Sequence, residues 1–196
     1  MENKASLIIV DVQNDFCPGG ALPVANGDQV VAPLNRYIEK FTREKLPIFA
    51  TRDWHPEKTR HFKAHGGIWP PHCIQDTKGA EFRADLALPK DAVIVSAGMA
   101  FDEEGYSGFD GVDSSGAHLA DLLRRAGVSR IYVGGLATDY CVKQTVLDGL
   151  ENGFAVTLLE DCVHGVDLKP GDSARAVEQM VAAGAHVIGS VDQLSL

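Results

Sequence analysis

Long apolar runs are missing from this chain. The longest are of strand length and interrupted by Gly, Asp or Tyr, too short to span a bilayer. The N-terminal segment MENKASLIIVDVQNDF soon reaches acidic residues and lacks a small-residue cleavage site, so it does not read as a secretory signal, and a cytoplasmic chain is expected. Paired cysteines are missing too. Cys17, Cys73, Cys141 and Cys162 are scattered without a CxxC spacing, which suits reduced thiols better than a disulfide framework or a Cys-rich zinc module. There is no basic excess: 18 Lys and Arg stand against 27 Asp and Glu, a formal charge of −9, which speaks against nucleic-acid or anionic-membrane partners. No GxGxxG follows the first strand, so dinucleotide binding has little support. Repeats, low-complexity tracts and linker-like stretches are also lacking, and residues 1–196 are expected to form one domain.

What is there is an ordinary globular composition, with 45% hydrophobic and 23% charged residues in 196. A chain of this size is expected to keep about 9,000 Å² of surface when folded, burying roughly 70% of what it exposes unfolded, so no disulfide is needed to complete the core. Short β-branched runs alternate with helical stretches. The expected strands are 6–10, 47–51, 92–96, 130–135, 154–160 and 186–190, and the expected helices 28–45, 115–126, 138–152 and 172–183. That rhythm predicts an α/β fold, a Rossmann-like three-layer α-β-α arrangement around a mostly parallel sheet of five or six strands. Asp28, Ser115, Thr138 and Asp172 are candidate N-caps, and Gly127, Gly153 and Gly184 stand just past helix ends. Pro33 is expected to bend the first helix or delay its start. Residues 12–27 and 52–91 are too long for simple connections and are expected to carry function.

Ligands of open parallel sheets bind at the carboxyl ends of the strands. Cys141, in GGLATDYCV, opens a predicted helix there, where the helix dipole favours a thiolate and free N–H groups can hold an oxyanion; the alternative is a buried cysteine acting as a small hydrophobe. Asp11 ends the first strand, where partial burial raises a carboxyl pKa and suits it to accept a thiol proton; alternatively it braces the loop that follows. Asp53, His55 and the more distant His72 form a three-ligand set that leaves metal positions open, as catalytic sites require, although Asp-x-His by itself is a weak signal. His61 and His65 are read as solvated loop histidines, and His118, His164 and His186 as surface or packing residues. Phe16, Trp69 and Tyr106 can clamp a planar ring or form a small loop core.

Together, DVQNDF-CPGGAL, RDWHP, GGIWPPHC, YSGF and GGLATDYCV resemble the nicotinamidases of the isochorismatase-like cysteine hydrolase superfamily, in the family's order and over essentially the whole chain. The resemblance implies hydrolysis of nicotinamide to nicotinate and ammonia in NAD salvage, with Cys141 as nucleophile and Asp11 as general base. It implies a divalent metal on Asp53, His55 and His72, zinc first, with iron or manganese as alternatives. It also implies an oxyanion hole at the N–H groups of Ala137 and Cys141 beside a cis Leu136-Ala137 peptide, ring-packing roles for Phe16, Trp69 and Tyr106, and a homo-oligomer. One position departs from the family pattern. Ala97, followed by Gly98, stands where the family carries a catalytic lysine, which implies weakened activity. Two other readings compete: a related cysteine amidohydrolase of ureido or carbamoyl substrates, and a catalytically dead paralogue that only binds ligand.

Overall fold

The computed structural model describes residues 4–196. Its strands are β1 (Lys4–Val10), β2 (Ile48–Asp53), β3 (Val93–Ala97), β4 (Val128–Leu136), β5 (Ala155–His164) and β6 (His186–Ile188), and its α-helices are α1 (Val31–Arg43), α2 (Leu119–Arg125), α3 (Lys143–Glu151) and α4 (Asp172–Ala182). All six strands join one sheet in the order β3-β2-β1-β4-β5-β6, and every ladder is parallel. The winding reverses between β1 and β4, so the carboxyl ends of these two strands open a crevice.

The β1 sequence explains why the sheet is covered on both faces. Its apolar run is continuous rather than alternating. Leu7 and Ile9 pack on one side with Val31, Leu34, Tyr37, Ile38 and Phe41 of α1, residues spaced to form one helical stripe. Ile8 and Val10 pack on the other side with Leu119 and Leu123 of α2, Val146 of α3 and Met180 of α4. The folded surface, 9346 Å², is close to the expected value, and all four cysteines are buried and unpaired. No helix among the described residues is long and apolar enough to cross a membrane.

Several element boundaries differ from expectation. The first helix begins with a 3-10 turn, Gly27–Val30, and Asp28 makes no capping bond; Pro33 falls in the first turn of α1, where its missing N–H costs nothing and no bend is needed. Ser115 does not cap α2. Its N–H and hydroxyl both donate to Asp113, the N–H of Ala117 does the same, and the resulting turn delays the helix to Leu119. Thr138 opens a π-helical turn, Thr138–Val142, rather than α3 itself. β5 runs four residues past its expected end because Val163 and His164 pair with Gly135 and Leu136 beyond a register shift. Gly127, Gly153 and Gly184 do take positive φ after their helices.

Candidate active site

The two long loops fold over the carboxyl ends of β1, β2 and β4 and enclose a cleft of about 340 Å³. It is lined by Phe16, Asp53, His61, Trp69, His72, Tyr106, Ala137, Tyr140 and Cys141, with Leu22 and Val166. Residues separated by more than a hundred positions in sequence thus share one cavity.

Asp11 sits one residue beyond β1 in a left-handed conformation, φ 49°, with its carboxylate accepting a 2.6 Å hydrogen bond from the Thr51 hydroxyl. The neighbouring β4 accommodates this turn only because residue 135 is glycine. Gly135 has φ 132°, and a Cβ there would stand 2.0 Å from the Val10 carbonyl oxygen. β4 ends in a cis peptide between Leu136 and Ala137, and the π-helical turn that follows carries Cys141 into the cleft ahead of α3. Single ligand atoms of Asp11, Asp53 and Cys141 lie within 4.8 Å of one another. Burial raises Asp11 well above the usual carboxylate range, and the nearby charge of Asp53 adds to this, partly offset by hydrogen bonds from Thr51 and Cys141. Burial likewise pushes the Cys141 thiol up, reinforced by the charges of Asp11 and Asp53.

Asp53 closes β2, and its backbone is held by the buried Gln13 side chain, which accepts from the Asp53 N–H at 2.9 Å and donates to the Asp53 carbonyl at 2.8 Å. Its Oδ2 faces His55 Nε2 at 3.4 Å and His72 Nε2 at 3.6 Å. His55 Nδ1 lies 3.0 Å from the Gly98 carbonyl and His72 Nδ1 2.8 Å from that of Pro70. A carbonyl can only accept, so each Nδ1 donates its proton there and each ring turns its Nε2 toward the Asp53 carboxylate. Two imidazole nitrogens and a carboxylate oxygen converging in this way are the donors of a cation site. In agreement, buried His55 Nε2 and Asp53 Oδ1 have no hydrogen-bond partner among the described residues. The donor set suits a divalent metal ion.

His61, expected to be solvated, is buried and stacks on His55 with ring centroids 4.7 Å apart. One nitrogen each of His55, His61 and His72 lie within 4.8 Å of one another. Burial, together with the nearby His55, lowers His61 to a pKa of about 4, so the ring is neutral near pH 7. The sequence signal was the phenylalanine beside it: Phe62, fully buried, pulls the loop inward and His61 with it. His65, His118 and His186 are exposed, and His164 is partly exposed.

Phe16, Trp69 and Tyr106 all line the cleft, Trp69 Nε1 donating to the Tyr106 hydroxyl at 2.8 Å. Tyr140 extends this aromatic wall, edge-on to Trp69 at 5.0 Å, and was not foreseen although it neighbours Cys141 in the motif. Ala97 is buried at the end of β3, in register with Asp53. Neither nearby lysine stands in for a cation at this position. Lys90 is exposed before the opposite end of β3, and Lys143 lines a separate groove with Asp139, Asp172 and Arg175. Gly98 has φ 68°, and a Cβ there would come within 2.4 Å of the His55 ring.

Residues 5–192 match the isochorismatase domain family. The chain is 38% identical over 203 residues to the nicotinamidase of Escherichia coli (strain K12), covering 95% of each. Among solved structures, the pyrazinamidase of Pyrococcus horikoshii in complex with zinc superimposes with a TM-score of 0.87 at 49% identity, covering 94% of this chain and 98% of that one. PnC1 from L. infantum in complex with nicotinate gives a TM-score of 0.87 at 34% identity, covering 100% and 96%. The chain therefore belongs to the isochorismatase family and, within it, to the hydrolases of the nicotinamidase/pyrazinamidase group.

Proposed function

We propose that this chain is a metal-dependent nicotinamidase, converting nicotinamide to nicotinate and ammonia through a thioester on Cys141, and that Ala97 weakens it. The observation that carries this reading is one cleft walled by aromatic rings and lined by Cys141, Asp53 and His72, with the buried Asp11 within 4.8 Å of the Cys141 sulfur and the buried His55 within 4.8 Å of the His72 nitrogen. Likeness to a zinc-bound pyrazinamidase and to a nicotinate-bound relative supports both the ion and the ring.

Asp53, His55 and His72 would hold the ion, with His61 beside them; a zinc ion bound there supplies a Lewis acid for the ring nitrogen of a pyridine. Phe16, Trp69 and Tyr106 pack the faces and edge of that ring at little entropic cost. The Asp11 carboxylate accepts the thiol proton as the Cys141 sulfur attacks the carboxamide carbon. The N–H groups of Ala137 and Cys141 receive the oxygen that gains charge. When the C–N bond breaks, Asp11 returns the proton to the leaving nitrogen and ammonia departs. Asp11 then takes a proton from water, which adds to the thioester carbon and releases nicotinate and the thiol. Two half-reactions share one base, so the kinetics are ping-pong.

Ala97 leaves this sequence without a lysine ammonium close to the sulfur and Asp11, and the thiol then ionises with difficulty among carboxylates. Replacing Ala97→Lys should raise nicotinate formation by about a hundredfold or more, the scale of one preorganised charge at a developing anion. Unchanged turnover in a variant that still binds zinc would contradict the proposal. A ureido or carbamoyl amidase without need of the ion is the competing enzyme, and chelation separates them: the nicotinamidase loses activity and that enzyme keeps it.

A further inference from the structure

Cys73 follows His72 in the second long loop, is fully buried, and has φ 45°, a left-handed conformation that a residue with a Cβ keeps only under constraint. Its two peptide groups reach both histidines of the metal set. One joins it covalently to His72. The other presents its carbonyl to the His55 N–H at 3.0 Å, and the Gln75 N–H then donates to the His55 carbonyl at 2.9 Å. What constrains residue 73 comes from the first long loop. Asp15 Oδ2 accepts the Cys73 N–H at 2.8 Å, and its Oδ1 accepts the Ala21 N–H of its own loop at 3.0 Å. This carboxylate occupies the space that a side chain at residue 79 would need, since a Cβ on Gly79 would stand 2.2 Å from Oδ2. Phe16, next to Asp15, packs its ring on that of His72 with centroids 5.4 Å apart. Asp15 itself does not line the cleft.

We propose that Asp15 is a positioning residue for the metal centre: its carboxylate holds Cys73 in the left-handed conformation that brings His72 and His55 to one ion. A carboxylate is a stronger acceptor for a backbone N–H than a neutral oxygen, which suits it to hold a strained residue in place. With one oxygen on each loop, the same group also locks the first loop onto the second. The proposal rests on the reading of Asp53, His55 and His72 as metal ligands and is independent of which substrate the centre turns over.

The experiment measures the zinc affinity of the full chain and its variants by chelator competition, with far-UV circular dichroism to confirm folding and the visible spectrum of the cobalt-loaded chain to report the ligand set. Asp15→Ala should bind zinc about 10- to 100-fold more weakly, the usual effect of losing a ligand's supporting partner. Gly79→Ala, which leaves Asp15 in the sequence but takes the place of its carboxylate, should weaken zinc in the same direction. Rescue separates this role from general support of the fold. Glycine adopts φ 45° without strain, so Asp15→Ala with Cys73→Gly should regain about tenfold in zinc affinity and return the cobalt spectrum toward that of the parent. Asp15→Ala with Cys73→Ala, which also removes the sulfur but keeps a Cβ, should regain nothing. Unchanged zinc affinity in folded Asp15→Ala, or no advantage of glycine over alanine at residue 73, overturns the proposal whether or not nicotinate is formed. If Asp15→Ala does not fold, the same comparison made on Gly79→Ala decides in the same way. Weakened zinc binding with rescue by glycine alone, in chains that form no nicotinate, supports the positioning role and defeats the hydrolase reading. A parent chain that takes up no zinc overturns both.

Discussion

Two atoms decide the chemistry at the residue scale: the sulfur of Cys141 and the Nε2 of His55. The first must lose a proton among carboxylates, and the second must present a lone pair to an ion. The His55 ring is fixed by its bond to the Gly98 carbonyl and by the absence of a side chain at that glycine. Gly98→Ala would drive a Cβ into the ring and require a positive φ of an alanine, so zinc affinity should fall by about 10- to 100-fold, the usual effect of disturbing a ligand's supporting partner. Competition with a chromophoric chelator measures this. His61 gives a second test. Its pKa of about 4 lies below the ordinary value near 6.5, so between these values the unfolded chain binds more protons than the folded one. The metal-free protein should therefore lose stability as the pH falls from about 6.5 to about 4, and His61→Phe should flatten that slope in urea unfolding at several pH values.

At the scale of elements, what was legible followed from periodicity, and what was not followed from local hydrogen bonding. The continuous apolar run of β1 and the helical stripe of α1 have physical periods, and both elements stand where those periods place them. The start of α2 was misplaced because Ser115 looks like a cap, while Asp113 takes its N–H and hydroxyl into a turn. The π-helical turn at Thr138–Val142 has no period of its own to detect. In the site, Cys141, Asp11 and the Asp53, His55, His72 set could be picked out by chemistry; His61 and Tyr140 had only indirect signals, the apolar Phe62 next to one and the Cys141 motif around the other, and the direction of each ring is set by the fold. Gln13 was missed for the same reason: only the fold shows that its amide braces Asp53. The apolar stripe of α1 can be tested directly. Phe41 is fully buried and meets Tyr132 edge-on at 5.6 Å, so Phe41→Ala should destabilise the fold by about 3–5 kcal/mol in denaturant unfolding while the folded fraction binds zinc normally.

At the scale of the molecule, the strand order places the topological reversal between β1 and β4, and the site grows from that reversal: Asp11 leaves β1, the cis peptide and Cys141 follow β4, and Asp53 ends the flanking β2. The two long loops then supply the histidines, Phe16 and Trp69, while Tyr106 comes from the segment after β3 and Tyr140 from the turn after β4. The account stands on all of these acting as one centre. Its most direct test is nicotinate formation from nicotinamide, followed by chromatography, in the zinc-loaded chain, in the same chain after chelation, and in Cys141→Ala. The account predicts slow but measurable product that disappears on chelation, returns with zinc, and is absent from Cys141→Ala at every zinc concentration. Turnover that survives either loss of the ion or loss of the sulfur would contradict it.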